Sequence, residues 1–318
     1  MAFPKNIFIT GATGYIGGSI AVRLVKSGVH VRGLIRNEVN ADWLVAHGIE
    51  PVLGELSDSD LLELEARKSD GVINAASADH AESVQALIKG LSGTSKPLLH
   101  TSGSSIVGDD ARGSHQSGTI FDEYTPIVVS ELKLARRNID LKVLSASAMG
   151  IRSIVICPSL IYGQGEGLNP NSVQVPFLAS NARQQGRVQI VGAGLNVWSN
   201  VHIDDVVNLY MLCLEKAPAG ALYFAENGEA SFKEIGSALS KRLGLPAVES
   251  LNPDVAANLW GIPRAHYSFG SNSRVRSVRA KNELGWVPRH DSVVDWILGE
   301  MPTEKIMCKF KTKGLYVA

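Results

Sequence analysis

The chain has 318 residues, of which 45% are hydrophobic and 19% charged, and its 31 lysines and arginines balance 31 aspartates and glutamates. This composition is typical of a globular protein with a buried core and excludes a largely disordered chain. A net charge of zero gives no indication of a nucleic-acid partner or of binding to an anionic membrane.

The three cysteines, Cys157, Cys213 and Cys308, lie far apart and form no CxxC pair. This pattern predicts reduced thiols in a cytosolic protein rather than a disulfide framework. No apolar run approaches the roughly 18 residues that a membrane-spanning helix needs. The first predicted strand begins at residue 6, which leaves no room for a cleavable signal. We therefore expect a cytoplasmic protein with no membrane partner.

Short apolar runs alternate with helical patterns through the first half of the chain. Strands alternating with helices imply right-handed crossovers and a parallel sheet covered by helices on both faces. The fold class is therefore predicted to be α/β, with a Rossmann-type doubly wound parallel sheet. The predicted strands are 6–10, 29–35, 51–56, 71–77, 97–102 and 153–163, and the predicted helices are 14–28, 41–48, 59–68, 80–91 and 130–150.

After Gly163 the pattern loosens into a Gly/Asn/Pro loop, followed by shorter helices and strands separated by proline and glycine. There is no internal repeat and no low-complexity linker, so the second half is predicted to be interleaved with the sheet rather than tethered to it. We predict an NAD(P)-binding domain over residues 1–165, with 195–226 returning to it, and a smaller C-terminal substrate lobe made of 166–194 and 227–318.

The stretch "ITGATGYIGG" places Gly11, Gly14 and Gly17 directly between a predicted strand and a predicted helix. The first glycine permits a tight turn, the second lets backbone N–H groups approach a pyrophosphate, and the third allows close packing of helix on strand. The phosphates would then lie at the positive end of the helix. A plain strand-to-helix turn is the alternative, but the βαβ context favours a dinucleotide site.

The residue after the second strand discriminates between the two nicotinamide dinucleotides. An NAD site places an acidic side chain there for the ribose hydroxyls, whereas an NADP site uses an arginine for the 2′-phosphate. The strand ends in "GLIRNE", which puts Arg36 at this position, and guanidinium pairs well with phosphate. NADP(H) is therefore favoured over NAD(H), although Arg36 could be merely solvated and Glu38 could receive a ribose.

These residues resemble the extended short-chain dehydrogenase/reductase superfamily over nearly the whole chain. The matching segments are "TGATGYIG" (10–17), "GELSD" (54–58), "VINAAS" (72–77), "CPSLIYGQG" (157–165), "VHIDDV" (201–206) and "LGWVPR" (284–289). Glu55 replaces the family's usual aspartate and Cys157 its arginine. The resemblance implies that the cofactor contacts Gly11, Thr13, Gly14, Tyr15, Ile16, Gly17, Arg36, Glu55, Leu56, Ala75, Ala76, Ser77, Thr101, Lys133, Pro158 and Leu160.

The chain departs from the family in its catalytic pair. The family's chemistry needs a serine or threonine after strand five and a Tyr-x-x-x-Lys on the next helix, where the lysine lowers the pKa of the tyrosine. Lys133 fits the lysine, but Val129 stands in the tyrosine position, and no tyrosine of the chain has a lysine four residues later. The serine position falls on Gly103. The sequence is thus similar to an atypical branch that lacks the tyrosine, whose members are mostly assigned as epimerases/dehydratases or oxidoreductases.

Four residues remain as catalytic candidates: Ser102, Ser104, Lys133 and Tyr162. The serines flank Gly103 and would hold a substrate oxygen, Lys133 would contact the nicotinamide ribose, and Tyr162 is expected to face the cleft. Each also has an ordinary structural interpretation, as a loop serine, a surface lysine or a packed tyrosine. Tyr124 and His115, both in predicted loops, are weaker substitutes for the missing acid.

No metal site is predicted, because the eight histidines show no ligand spacing. His202 is expected to be structural, with Asp204 and Asp205 capping the helix that follows. The arginines of "SRVRSVRAK" (273–281) are expected to form a solvated face, with binding of an anionic substrate as the alternative.

The leading hypothesis is an NADP-dependent reductase or dehydrogenase of a small carbonyl or hydroxyl compound, with a proton donor other than the usual tyrosine. The alternatives are a cofactor-binding sensor without turnover and a redox-neutral epimerase or lyase. The resemblance also allows a homodimer through the helices at 82–91 and 130–150, although the charges of "KLARRN" oppose burial of the second helix.

Overall fold

The computed structural model describes residues 3–303, in which strands and helices alternate as predicted. The strands are β1 (Asn6–Thr10), β2 (His30–Ile35), β3 (Ile49–Leu53), β4 (Gly71–Asn74), β5 (Pro97–Thr101), β6 (Arg152–Pro158), β7 (Leu160–Tyr162), β8 (Gln189–Val191), β9 (Val197–His202), β10 (Ala221–Ala225), β11 (Glu229–Ser231) and β12 (Glu249–Leu251). The helices are α1 (Tyr15–Lys26), α2 (Ala41–Ala46), α3 (Ser59–Lys68), α4 (Ala81–Leu91), α5 (Leu134–Ser145), α6 (Gln174–Gln185), α7 (Ile203–Lys216), α8 (Phe232–Leu243), α9 (Pro253–Trp260), α10 (Ile262–Arg264), α11 (Val278–Leu284) and α12 (Val293–Gly299).

Seven of the described strands form one parallel sheet, in the order β10-β6-β5-β4-β1-β2-β3. The strand order reverses at β1, which pairs with β2 on one side and with β4 on the other. In doubly wound sheets, ligands bind at the carboxyl ends of the strands beside such a reversal. The Rossmann-type fold predicted from the sequence is confirmed.

Helices cover both faces of this sheet, because successive side chains of a buried strand point in opposite directions. In β1, Ile7 and Ile9 pack in a core with α1, α7 and α11, whereas Phe8 packs on the other face with α3, α4 and α5. All seven residues of β6 are buried, as a strand covered on both faces requires.

A separate apolar core joins α6, α8, α9 and α12. Around it lie a three-stranded sheet, β11-β9-β7, and a two-stranded sheet, β12-β8. Of the segment 195–226, α7 and β10 pack with the central sheet, but β9 pairs with β7 and β11 instead. The part of the predicted smaller lobe beyond residue 303, including Cys308, lies outside the described residues.

No helix within residues 3–303 combines the length and the apolar character that crossing a membrane would require.

Candidate active site

The glycine-rich turn after β1 forms a tight cradle against the end of β4. Gly11 has φ +79°, and a Cβ at this position would lie 2.7 Å from the carbonyl carbon and oxygen of Ala75. A Cβ on Gly17 would lie 2.4 Å from the carbonyl oxygen of Gly11. The N-terminus of α1 has no side-chain cap and no acidic residue in its first turn. This surface fits a pyrophosphate, which backbone N–H groups and the helix dipole would bind.

Arg36 follows β2 at the rim of the crevice, and its side chain is exposed. It forms no hydrogen bond or ion pair with another residue between 3 and 303, so its guanidinium is available to a ligand. Glu55 and Leu56 lie after β3, Glu55 exposed and Leu56 half-buried. Glu55 accepts a hydrogen bond from the Ser57 hydroxyl at 3.4 Å.

Several predicted cofactor contacts have side chains committed to the protein. The Thr13 carbonyl accepts from the Asn169 amide at 2.6 Å, and the Tyr15 hydroxyl lies 3.0 and 2.8 Å from the carbonyl oxygens of Tyr162 and Gly163. Thr101 shares a hydrogen bond of 2.7 Å with the hydroxyl of Tyr210. These residues can therefore meet a cofactor mainly through their backbone or ring surface.

The remaining predicted contacts vary in exposure. Ala75 and Ser77 are half-buried, Ala76 is exposed, and Ile16 packs beside the core under α1. Pro158 and Leu160 are both buried, and the Leu160 side chain lies in the core of α6 and α8. Leu160 therefore does not present its side chain to the crevice.

The hydroxyls of Ser102 and Ser104 are both engaged by other residues of the protein. The Ser102 hydroxyl donates to Asp140 Oδ2 at 3.0 Å, beneath the site. Ser104 Oγ lies 2.8 Å from Ser273 Oγ, and Ser273 donates to the Ser104 carbonyl at 2.9 Å. Both side chains are buried, as is that of Ser105, so these contacts and not exposure distinguish the three serines.

The 3₁₀ turn after Gly103 also contains Ser105, a residue that the sequence reasoning missed. Ser105 Oγ accepts hydrogen bonds from Lys133 Nζ at 3.2 Å and from Arg136 Nη1 at 3.1 Å. Arg136 also pairs with both carboxylate oxygens of Asp79, at 2.8 and 2.6 Å. The three-residue spacing of Lys133 and Arg136 on one helix face was the signal that could have indicated this cluster.

This cationic cluster lies at the carboxyl end of β5, beside Gly103. A Cβ on Gly103 would lie 3.8 Å from Arg136 Nη1 and 3.9 Å from the carbonyl oxygen of Pro158. Burial, and then the positive charge of Arg136, lower the pKa of Lys133 to about 8, with Asp79 acting in the opposite direction. A lysine with this pKa can exchange a proton near neutral pH.

Val129 does not share a helix face with Lys133. The segment before Glu131 is extended, a 3₁₀ turn covers Glu131–Lys133, and α5 begins only at Leu134. Val129 packs against the core under α5. The four-residue spacing that pairs tyrosine with lysine on a regular helix is therefore lost here along with the tyrosine itself.

Tyr162 does not face the cleft, contrary to the expectation from the sequence. Its side chain is 1% exposed, and its ring packs 5.2 Å from the ring of His202 and 5.9 Å from that of Trp296. Burial raises the pKa of the Tyr162 hydroxyl well above its ordinary value, which opposes a role as proton donor. Tyr124 and His115 are exposed loop residues.

His202 has a packing role, as expected, but it is the helix cap itself. Its Nδ1 accepts the N–H of Asp204 at 3.2 Å at the start of α7. Ligand atoms of His202, Asp204 and His290 lie within 4.8 Å of one another. The two rings, however, stack at 3.9 Å and 24°, so their in-plane lone pairs run side by side and do not converge on one ion. The absence of a metal site stays a prediction.

The arginines of residues 273–281 are paired rather than free on a solvated face. Arg274 and Arg276 bind Glu229 at 2.7 and 3.0 Å, and Arg279 binds Glu283 at 2.8 Å. Their charges are thus largely neutralised within the protein.

Comparison with known proteins adds four findings. The sequence model of the NAD dependent epimerase/dehydratase family matches residues 7–223. "Oxidase ucsJ" of Acremonium sp is 32% identical over 89% of this chain and 93% of its own length. A 4-hydroxy-2-methyl-3-oxo-4-farnesyl-3,4-dihydroquinoline-1-oxide ketoreductase of Stigmatella aurantiaca is 24% identical over 89% of this chain and 92% of its own. The structure of dTDP-glucose 4,6-dehydratase from Bacillus anthracis with NAD superposes with a TM-score of 0.72, at 20% identity, over 92% of this chain and 96% of that one.

Proposed function

The chain belongs to the NAD dependent epimerase/dehydratase family, and we propose that it is an NADP-dependent reductase or dehydrogenase of a small carbonyl or hydroxyl compound. Family membership and the redox enzymes among its relatives make it a nicotinamide-dependent enzyme of the oxidoreductase or epimerase type. The direction, the substrate and the preference for NADP are the proposed part.

The observation that carries the proposal is the cluster of Ser105, Lys133 and Arg136 beside the glycine cradle. A serine hydroxyl has two lone pairs and one hydrogen. Lys133 and Arg136 both donate to Ser105 Oγ, so both lone pairs of this hydroxyl are engaged by cationic groups. Two cationic donors on one hydroxyl also polarise its O–H bond.

A bound nicotinamide supplies the hydride, and the residues of the chain hold the substrate oxygen and supply the proton. Ser105 gives its hydroxyl proton to the carbonyl oxygen as that oxygen gains charge, and Lys133 passes a proton from its ammonium to Ser105. One proton leaves Lys133 for each carbonyl reduced to an alcohol, and the neutral amine is protonated again from solvent. Arg136 remains charged throughout and is held in place by Asp79.

Arg36 supports NADP over NAD. Its unpaired, exposed guanidinium at the end of β2 is suited to a 2′-phosphate, and the neighbouring Glu38 lies in a short 3₁₀ turn on the same rim.

The test follows NADPH absorbance in the presence of a panel of carbonyl compounds that begins with 3-oxo compounds, since the Stigmatella relative is named as a reductase of one. We expect NADPH oxidation with at least one ketone and its loss in Ser105→Ala, while Ser104→Ala serves as the matched control. If an isomerised or dehydrated product formed without a net change in NADPH, the protein would be an epimerase or lyase and the proposal would be wrong. Tight NADPH binding with no product from any compound of the panel would also contradict it.

A further inference from the structure

A chain of buried polar side chains crosses the sheet beneath the site. Thr10 Oγ1 donates to Asn74 Oδ1 at 2.5 Å, and Asn74 Nδ2 lies 3.0 Å from His100 Nδ1. His100 Nε2 faces Asp140 Oδ1 at 3.8 Å, and the other oxygen of Asp140 accepts from Ser102. Thr10, His100 and Asp140 are all 0% exposed. The chain thereby connects β1, β4 and β5 to α5.

The hydrogen bonds of this chain have a direction. Asn74 Oδ1 accepts from Thr10, so the amide nitrogen of Asn74 faces His100. His100 Nδ1 is then an acceptor, which places the hydrogen of the neutral imidazole on Nε2. Nε2 and Asp140 Oδ1 have no hydrogen-bond partner among residues 3–303 and face each other. Ser102 thus donates to one oxygen of Asp140, whereas the His100 ring nitrogen faces the other oxygen across 3.8 Å, which is too long for a hydrogen bond.

Members of the chain adjoin residues of the proposed site. Thr10 precedes Gly11, Asn74 precedes Ala75, and Ser102 precedes Gly103. On α5, Asp140 lies four residues after Arg136 and shares its buried face, and Lys133 is the buried residue immediately before the helix. Asp140 therefore connects two parts of the site. One is the buried side of α5 next to both cations, and the other is the row of strand ends that forms the cofactor cradle.

We propose that Asp140 is a positioning residue, whose ionised carboxylate holds the Lys133–Arg136 face of α5 in register with the strand ends at Gly11, Ala75 and Gly103. The expected effect of Asp140 on turnover rests on the proposed function, whereas its role in holding α5 in place does not. Asp140 touches neither substrate nor cofactor. It acts through the helix and through the hydrogen-bond chain.

The charge of Asp140 matters because an ionised carboxylate attracts the N–H of His100 that faces it and accepts the hydrogen bond from Ser102. The charged or titratable groups around it are His100 on β5, Cys157 on β6, Arg136 and Arg137 on α5, and Asp79 after β4. Burial raises the pKa of Asp140 to about 6, opposed by the Ser102 hydrogen bond and by the two arginines. Burial lowers the pKa of His100 to about 4. Above pH 6 Asp140 is ionised and His100 neutral, whereas below pH 6 the carboxyl takes a proton and its attraction for the His100 N–H weakens.

The structural experiment is ¹⁵N NMR of the full-length protein with labelled histidine, with and without NADPH. We expect His100 to be the neutral Nε2–H tautomer from pH 5 to 8, with an Nε2 shift that steps near pH 6 as Asp140 titrates. Asp140→Asn should remove this step. A His100 in the Nδ1–H form, or one that shows no step in the wild type, would overturn the inference whether or not the protein turns over any substrate.

The kinetic experiment compares Asp140→Asn with Thr10→Val and Asp205→Asn. We expect Asp140→Asn to lower kcat about 10-fold to 100-fold, with KM changed less than about threefold, and to abolish the fall in activity below pH 6. Thr10→Val removes the hydroxyl at the other end of the row of buried polar side chains, and it should lower kcat less than Asp140→Asn does. Asp205→Asn is the control, because it removes another buried carboxylate, which binds the backbone of Arg289 and His290. The fall in activity below pH 6 should remain in this variant. Wild-type kcat and pH profile in folded Asp140→Asn would overturn the inference.

Discussion

Lys133 Nζ donates to Ser105 Oγ at 3.2 Å, across 28 residues of sequence. The contact joins the 3₁₀ turn after β5 to the start of α5, the two segments from which the family draws its acid–base groups. In the proposed reaction, this hydroxyl and this ammonium supply the proton that the family's tyrosine and lysine would otherwise supply.

Replacing Ser105 by alanine should lower kcat/KM about 10²-fold to 10³-fold, the loss typical of one donor to a developing oxyanion. Ser104→Ala is the matched control in the same segment, since its hydroxyl binds Ser273 instead. Steady-state kinetics with the substrate found in the panel measures the difference. If Ser104→Ala lowered kcat/KM as much as Ser105→Ala does, the assignment of the substrate oxygen to Ser105 would be wrong.

The pH dependence of turnover should report the ionisation of Lys133. Reduction needs the ammonium form, so kcat/KM for reduction should fall as the pH rises through about 8, the lowered pKa of Lys133. Oxidation of the alcohol needs the neutral amine and should rise through the same pH. Lys133→Met should remove this limb and cost about 10²-fold to 10⁴-fold in rate, with NADPH binding followed separately by fluorescence. An unchanged alkaline limb in Lys133→Met would place the proton elsewhere.

Arg36 should set the preference between the two dinucleotides. Arg36→Ala should weaken NADPH binding about 10-fold to 100-fold, as expected for loss of a charge-assisted contact to the 2′-phosphate. Binding of NADH, which lacks that phosphate, should change less than about twofold. Calorimetric titration with both cofactors provides the measurement, and equal loss for both would show that Arg36 does not read the 2′ position.

Gly17→Ala should impair the cradle, because its Cβ would lie 2.4 Å from the carbonyl oxygen of Gly11. We expect a decrease in the free energy of unfolding of about 1–3 kcal/mol and NADPH affinity reduced at least tenfold. Gly118→Ala is the control, since a Cβ there meets nothing within 4 Å. Thermal melts with and without NADPH separate the two effects. A Gly17→Ala protein as stable and as tightly binding as the control would contradict the close packing of this turn.

Much of the cofactor crevice could be predicted from local sequence. The spacing of Gly11, Gly14 and Gly17 specifies backbone geometry, and the structure packs Gly11 and Gly17 closely against neighbouring backbone. The positions of the central strands also follow from the apolar runs, because parallel strands covered on both faces need continuous hydrophobic sequence, but β3 and β4 end at Leu53 and Asn74, three residues before their predicted ends. The catalytic residues were harder to predict. Ser102, Ser104 and Ser105 lie within four positions of the sequence and have the same hydroxyl group, so the sequence does not distinguish them.

The sequence by itself determined the doubly wound fold and the glycine cradle, since both depend on periodicity and on residues that permit particular backbone conformations. The tertiary structure decided which side chains meet. Ser105, in the 3₁₀ turn after β5, contacts Lys133 and Arg136, whereas its neighbour Ser104 does not. A second 3₁₀ turn at Glu131–Lys133 delays the start of α5, so Val129 lies before the helix and not on it. Burial of Tyr162 in the core beside α6 removed it from the cleft, and burial of Lys133 lowered its pKa. These outcomes depend on contacts between segments far apart in the chain, which no local pattern encodes.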